Sequence, residues 1–351
     1  MTTPATKPPE ARGLARDGVR MLAATPDGLA HATFADLGRY LRAGDLLVVN
    51  TSGTIAAAVD GSRGCGQADG QLVTVHFSTP LTEPLTQSSH DDATWLVELR
   101  QNTAGRERVL DATEGETITL PAGGSLTLMH RYPEIDSDRL WAASVKTEVS
   151  TVDEYLARYG RPIRYSYVPD PWPLDAYQTV FARDPGSAEM PSAGRPFTGD
   201  LVAGLIARGV SFAPITLHTG VASLEAHELP LPERFSVSES TAHQINLART
   251  DGRRIVAVGT TCTRAVESAA DETGTVRAAS GWTDLVLGYG RPARVVNGLI
   301  TGWHDPEASH LALLQAVAGT KLVEAAYAEA ERADYLWHEF GDSCLLLPPI
   351  G

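Results

Sequence analysis

Hydrophobic and polar positions follow two different rhythms along this chain. From residue 15 to 59 the pattern predicts strand, helix, strand: 19–23, a helix around 34–41, then 45–50 after a turn at Gly44. Between about 60 and 149 helical periodicity disappears. Short β-rich runs at 72–77, 95–99, 117–120, 125–130 and 140–144 are separated by Gly, Pro, Asp and Ser, as in a small all-β barrel or sandwich. The stretch 78–93 reads as a polar loop. After Thr151 strands alternate with helices again through Tyr335, the texture of βα units around a parallel sheet. The expected architecture is α/β: residues 1–59 and 150–351 form a discontinuous, barrel-like α/β domain, and 60–149 form an inserted small β-barrel.

Three strand-like runs end in polar side chains. The run 255–259 leads into Thr260 and Thr261 and then a helix bearing Arg264 and Glu267, three apart on one face. Threonines there can cap the helix, and its first N–H groups can hold an anion; a capped helix with a surface ion pair fits the same residues. The run 295–301 ends in Gly302-Trp303-His304. Trp303 offers a face to a purine or a sulfonium, and His304 offers proton transfer near neutral pH, although a loop histidine can also be merely solvated. The run 214–217 ends in His218-Thr219-Gly220, followed by Glu225, His227 and Glu228. Those spacings could suit a metal, but no His-Glu-x-x-His helix is present and Pro and Leu surround them, so no metal is expected. Polar strand ends of this kind fit the carboxyl face of a barrel.

The segment 155–195 interleaves Arg158, Arg161, Arg164, Arg183 and Arg195 with Tyr159, Tyr165, Tyr167, Trp172 and Tyr177, a mixture suited to bases and phosphates. Asp153, Glu154, Asp170, Asp175, Asp184 and Glu189 offset those arginines, so it is no basic patch.

Bulk properties narrow the field further. At 351 residues the chain exceeds what one core usually serves, so two domains are expected. The longest apolar runs, such as 46–49, fall far short of the ~20 residues that cross a bilayer. The first dozen residues lack an apolar segment and read as a loose leader, so the chain is expected to be soluble and cytoplasmic. Cys65, Cys262 and Cys344 are far apart and odd in number, and Cys262 is expected to be a small buried thiol. The net charge of −14 argues against a broad basic face of the kind that grips nucleic acid.

Several blocks also resemble, in residues and in order, the S-adenosylmethionine:tRNA ribosyltransferase-isomerase family of queuosine biosynthesis. They are Ala15-Arg16-Asp17 with Arg20-Met21-Leu22, Ala43-Gly44-Asp45-Leu46-Leu47-Val48-Val49-Asn50, and Tyr177-Gln178-Thr179-Val180-Phe181-Ala182. Thr216-Leu217-His218, Ala257 to Glu267, Leu299-Ile300-Thr301, His304 and Gly341-Asp342 follow. The resemblance covers nearly the whole chain and implies an α/β barrel-like domain with an inserted β-barrel. It also implies S-adenosylmethionine as co-substrate, whose ribosyl part moves onto an aminomethyl-deazaguanine in tRNA with release of adenine and methionine. On that reading His304 and His218 transfer protons. Thr260, Thr261 and Arg264 hold the methionine carboxylate or ribose hydroxyls, with Glu267 and Trp303 beside them, and Gln178 and Tyr177 hold adenine or acceptor. The chain departs from the family pattern at 161–167, 190–197 and 219–224, where Arg164 and Arg195 would meet the acceptor. Three readings follow: a tRNA-modifying enzyme, a paralogue applying S-adenosylmethionine to a small molecule, and a binding protein on the same fold.

Overall fold

A computed structural model describes residues 3–64, 70–81, 93–103, 107–133, 139–221, 230–304 and 310–349. Cys65, Glu225, His227, Glu228 and most of the 78–93 stretch lie outside the described residues.

The α/β part is built on a nine-stranded mixed sheet. Its strands are β1 (Arg20–Thr25), β2 (Gly28–Thr33), β3 (Leu46–Asn50), β12 (Ser211–His218), β13 (Glu233–Val237), β14 (Ile255–Val258), β15 (Ala279–Thr283), β16 (Gly298–Gly302) and β17 (Ser343–Leu346). They lie in the order β15-β13-β12-β3-β14-β16-β17-β1-β2. The four central strands β12, β3, β14 and β16 run parallel, whereas β13 and β17, which flank them, are each antiparallel to their inner neighbour. This large sheet and the closed barrel of the inserted unit together give the expected α/β architecture with an inserted β-barrel.

Every residue of β3 and β14 is buried, as β-branched and aliphatic runs covered on both faces should be. One face packs against α3 (Glu239–Thr250), α4 (Thr260–Ser268), α5 (His310–Ala318) and α6 (Thr320–Arg332); the other packs against α2 (Gly199–Ala207) and a 3-10 turn at Phe34–Arg39. That turn replaces the helix expected at 34–41. Its start is held by a capping box between Thr33 and Asp36. At the amino ends of β3 and β14, Asp45 and Arg254 form a buried pair, with the Arg254 Nε–H donating to Asp45 at 2.9 Å.

The inserted unit is a closed six-stranded barrel, β10-β7-β6-β5-β8-β9, drawn from β5 (Ala58–Arg63), β6 (Gln71–Pro80), β7 (Ala93–Gln101), β8 (Thr117–Thr119), β9 (Ser125–Tyr132) and β10 (Leu140–Lys146). Its core extends beyond those strands, taking in Val152, Tyr155 and Leu156 of α1 (Val152–Tyr159) and then Ile163, Tyr165, Ala188 and Val221. A two-stranded ladder, β4 (Ser52–Thr54) with β11 (Asp184–Ser187), stands where the chain leaves the large sheet for the barrel.

Glu267, placed by sequence among the ligand-binding residues, does structural work. Its carboxylate is fully buried and accepts the backbone N–H groups of Arg294, Val295 and Val296 at 2.9–3.0 Å, fixing the approach to β16. Glu267→Ala leaves three buried amides without an acceptor and should lower stability by about 3–5 kcal/mol. Urea unfolding checks this: a loss under about 1 kcal/mol would mean that the amides find another partner.

Candidate active site at the strand ends

Because the central strands are parallel, their carboxyl ends meet on one rim of the sheet, and the polar residues after them open into one cleft of about 210 Å³. Thr219 and Gly220 follow β12, Gly259-Thr260-Thr261 follow β14, and Thr301 to His304 follow β16; all line it. The antiparallel neighbours add residues that precede them: Glu233 at the start of β13, and His338 and Glu339 ahead of β17. Glu189 to Ala193 form a further wall, and Leu285, Leu287 and Leu313 supply apolar surface.

The start of α4 is shaped by Gly259, whose φ of 94° lies in the left-handed region. A Cβ there would sit 3.3 Å from Ala193, so glycine serves both the backbone and the close wall. Gly259 offers no side-chain cap, so the start of α4 beside the cleft-lining Gly259 to Thr261 has its first N–H groups uncapped. The Asn50 amide, which also donates to the Leu217 carbonyl at 2.8 Å, donates to Thr261 Oγ1 at 3.4 Å and ties this corner to β3.

His304 lines the cleft, and its Nε2 lies 3.3 Å from Thr301 Oγ1, which orients the ring. Trp303 is 1% exposed and packs edge-on against Tyr327 and Tyr335, so its ring is core and offers no open stacking face to a ligand. Arg264 lines the cleft with its donors already engaged. It pairs with Glu233 and donates to the carbonyls of Leu231, Thr283 and Leu285 at 3.1 Å. Burial outweighs that pairing at Glu233 and raises its carboxyl above the usual range.

The other sequence candidates lie away from the cleft. His218 sits behind Thr219, its Nδ1 2.8 Å from Ser52 Oγ, and Gly186 approaches so closely that a Cβ there would meet the ring at 2.5 Å. Burial, reinforced by Arg234, pushes His218 down to about 4, so it is neutral at pH 7. Gln178 pairs its amide with both backbone groups of Thr54 at 2.8 and 3.0 Å, and Tyr177 packs on Phe340. Arg195 is 3% exposed, paired with Glu10 and donating to the Ala176 carbonyl. Arg164 donates to the Pro169 carbonyl. Cys262 is buried inside α4, where desolvation raises its thiol, as expected of a structural cysteine. Among the described residues no group of His, Cys, Asp and Glu could hold a metal ion.

Titratable lining residues that escaped the sequence reading as site candidates are Glu189, Glu233, His338 and Glu339. His338 has a φ of 79°, rare for a side-chain-bearing residue and costing about 1–3 kcal/mol. That turn brings Glu339 to the cleft wall. Burial and the nearby Glu189 carboxylate push Glu339 up to about 8, against the opposing pull of Arg195.

A sequence profile of the family described as queuosine biosynthesis protein matches residues 2–346. An S-adenosylmethionine:tRNA ribosyltransferase-isomerase of Acidiphilium cryptum is 34% identical, the match covering 94% of this chain and 93% of the relative. The enzyme of that name from Symbiobacterium thermophilum is also 34% identical, covering 98% and 96%. A crystal structure of S-adenosylmethionine tRNA ribosyltransferase from Thermotoga maritima aligns over 99% of this chain and 96% of its own, at 24% identity and a TM-score of 0.49.

The engaged state of Arg264 sets a test. Arg264→Ala should cost about 3–5 kcal/mol by leaving Glu233 buried without its partner. Adding Glu233→Leu should recover part of that loss. Thermal unfolding of the single and double variants reads both effects, and equal stability in the two would show that the pair is not coupled.

Proposed function

We propose, because the chain belongs to the queuosine biosynthesis protein family, that it is an S-adenosylmethionine-dependent ribosyltransferase-isomerase acting on tRNA. The ribosyl part of S-adenosylmethionine passes to an aminomethyl-deazaguanine base, and adenine and methionine depart. What carries the reading is a single cleft that gathers the Thr260-Thr261 helix start and His304, in a chain whose likeness to enzymes of that name spans its whole length. No helix among the described residues is long and apolar enough to cross a membrane, which fits an enzyme working beside tRNA in the cytoplasm.

The residues divide the work by their chemistry. The N–H groups at the start of α4 suit an anion, and the methionine carboxylate is the anion that S-adenosylmethionine brings. Leu285, Leu287 and Leu313 suit a purine ring and keep water from it. His304, oriented by Thr301, moves a proton: the reaction needs a base for the carbon acid beside the sulfonium and a donor for departing adenine. Arg264 shapes the wall through its pairing with Glu233, and His218 holds the end of β12.

Purified protein mixed with S-adenosylmethionine should release adenine only when tRNA carrying the aminomethyl-deazaguanine is added. Release without that base, or with a small-molecule acceptor that tRNA does not displace, would overturn the tRNA reading. Binding of tRNA should weaken steeply as salt rises, with the modified and unmodified forms compared side by side.

His304→Ala should lower turnover by ~10²–10⁴ while S-adenosylmethionine binding changes little. A folded variant that keeps near-parent turnover removes His304 from the chemistry.

A further inference from the structure

The segment that continues from β15 borders the cleft and shows its two sides to different surroundings. Thr283, Leu285 and Leu287 are buried, whereas Trp282, Asp284 and Val286, which alternate with them, are exposed. Leu285, Val286 and Leu287 all line the cleft, so the outward side is continuous with it. The inward side is pinned. Arg264 donates to the carbonyls of Thr283 and Leu285 at 3.1 Å, and Thr283 Oγ1 accepts from the Leu285 N–H at 3.2 Å.

Beyond Leu287 the chain turns back. Gly288 and Arg291 exchange both backbone hydrogen bonds, at 3.2 and 3.0 Å, which leaves Tyr289 and Gly290 at the tip. Tyr289 is fully exposed, so the fold gains nothing from burying its ring. Trp282, Val286 and Tyr289 together leave large apolar side chains open to solvent on one short segment. The charge balance also differs here from that of the whole chain. Residues 278–294 carry Arg291 and Arg294 against Asp284 alone, in a protein with a net charge of −14. The Arg291 guanidinium donates to the Glu267 carbonyl at 3.3 Å, while Arg294 is exposed and forms no ion pair among the described residues.

A base that reacts inside a cleft of about 210 Å³ has to leave its stack, and its neighbours then lose a stacking face. An aromatic ring fixed beside the cleft restores that face to whichever base lies there, since every base has a π-face. Stacking needs no long-range attraction, which suits a chain with excess negative charge, and the exposed Arg294 suits a phosphate of the same strand.

We propose that Tyr289 is a stacking platform for tRNA, its ring taking the face of a nucleobase next to the one that enters the cleft. This rests on tRNA being the acceptor. The turn holds the ring in place before the tRNA arrives, so little freedom is lost on contact.

The test is kinetic and spectroscopic, on the parent, Tyr289→Ala and Tyr289→Trp, with tRNA carrying the aminomethyl-deazaguanine. Tyr289→Ala should raise KM for that tRNA by about 10- to 100-fold. Its kcat at saturating tRNA and its KM for S-adenosylmethionine should stay close to the parent's. Tyr289→Trp should keep the parent's KM, because a ring face remains. The ratio between Tyr289→Ala and parent should hold as salt rises, since stacking releases no counterions. A 2-aminopurine placed on either side of the modified base in turn reads the contact itself. At one of the two positions it should stay quenched on the parent and brighten on Tyr289→Ala. An unchanged KM in Tyr289→Ala, or equal quenching by both proteins at both positions, overturns the platform and leaves the tRNA reading standing. A changed oligomeric state in Tyr289→Ala with the parent's KM makes the ring a contact between copies of the chain and overturns it equally. A parent that releases no adenine with the modified tRNA overturns the tRNA reading, and this inference with it.

Discussion

Four adjacent parallel strands, covered on both faces, decide where this protein can put polar chemistry. The ladders join β12, β3, β14 and β16; β3 and β14 are buried along their whole length and β16 nearly so, whereas β12 alternates buried with partly exposed side chains. A charged or hydroxylated side chain placed mid-strand would be desolvated without a partner. Polar groups therefore leave the sheet at the strand ends, and parallel strands end together. Thr219, Thr260 and His304 are far apart in sequence, and they share a cleft for that reason. The opposite rim is closed by the buried Asp45–Arg254 pair, which leaves the carboxyl rim to the ligand.

The same constraint separates what the sequence made legible from what it hid. Buried parallel strands read as short apolar runs, and a run followed by threonines or by Trp-His is visible in one dimension, as at Thr260, Thr261 and His304, which line the cleft. Glu189, His338 and Glu339 were not visible in this way. Glu339 precedes β17, which runs antiparallel to β16, so its approach to the rim depends on strand direction, and no local pattern encodes that. Arg195 and Gln178 misled for the converse reason. Both belong to blocks that stand out in sequence, yet their donors are consumed by carbonyls, a carboxylate or a strand edge in the fold. Trp303 shows that an aromatic at a strand end can be the lid of the core. The all-β texture of 60–149 was legible because β-rich runs separated by turn residues carry no helical periodicity there. That the barrel core also recruits Ile163, Tyr165 and Val221 was not, since those residues lie in segments with no strand pattern.

If a chain with a net charge of −14 acts on tRNA, as proposed, it has to gain its selectivity from contacts near the reacting base. Acidic side chains in the cleft are then of use to the chemistry. Glu189 and Glu339 at the cleft wall would disfavour a phosphate there.

Tyr165 joins the barrel to this cleft. Its ring lies in the barrel core against His76, with Arg100 5.3 Å from its centre, while its hydroxyl reaches Glu189. Around it, Arg161 returns to Asp60 at 2.6 Å, and its backbone pairs with Ala58, so the segment 161–167 is laced to the barrel at both levels. In sequence this segment looked like an arginine-bearing acceptor loop. Its structure is that of a wall, with Ile163 and Tyr165 buried inward. Tyr165 therefore ties the barrel core to Glu189 through a single close-packed ring. The barrel thus sets the position of one carboxylate in the cleft without lending the cleft a strand of its own.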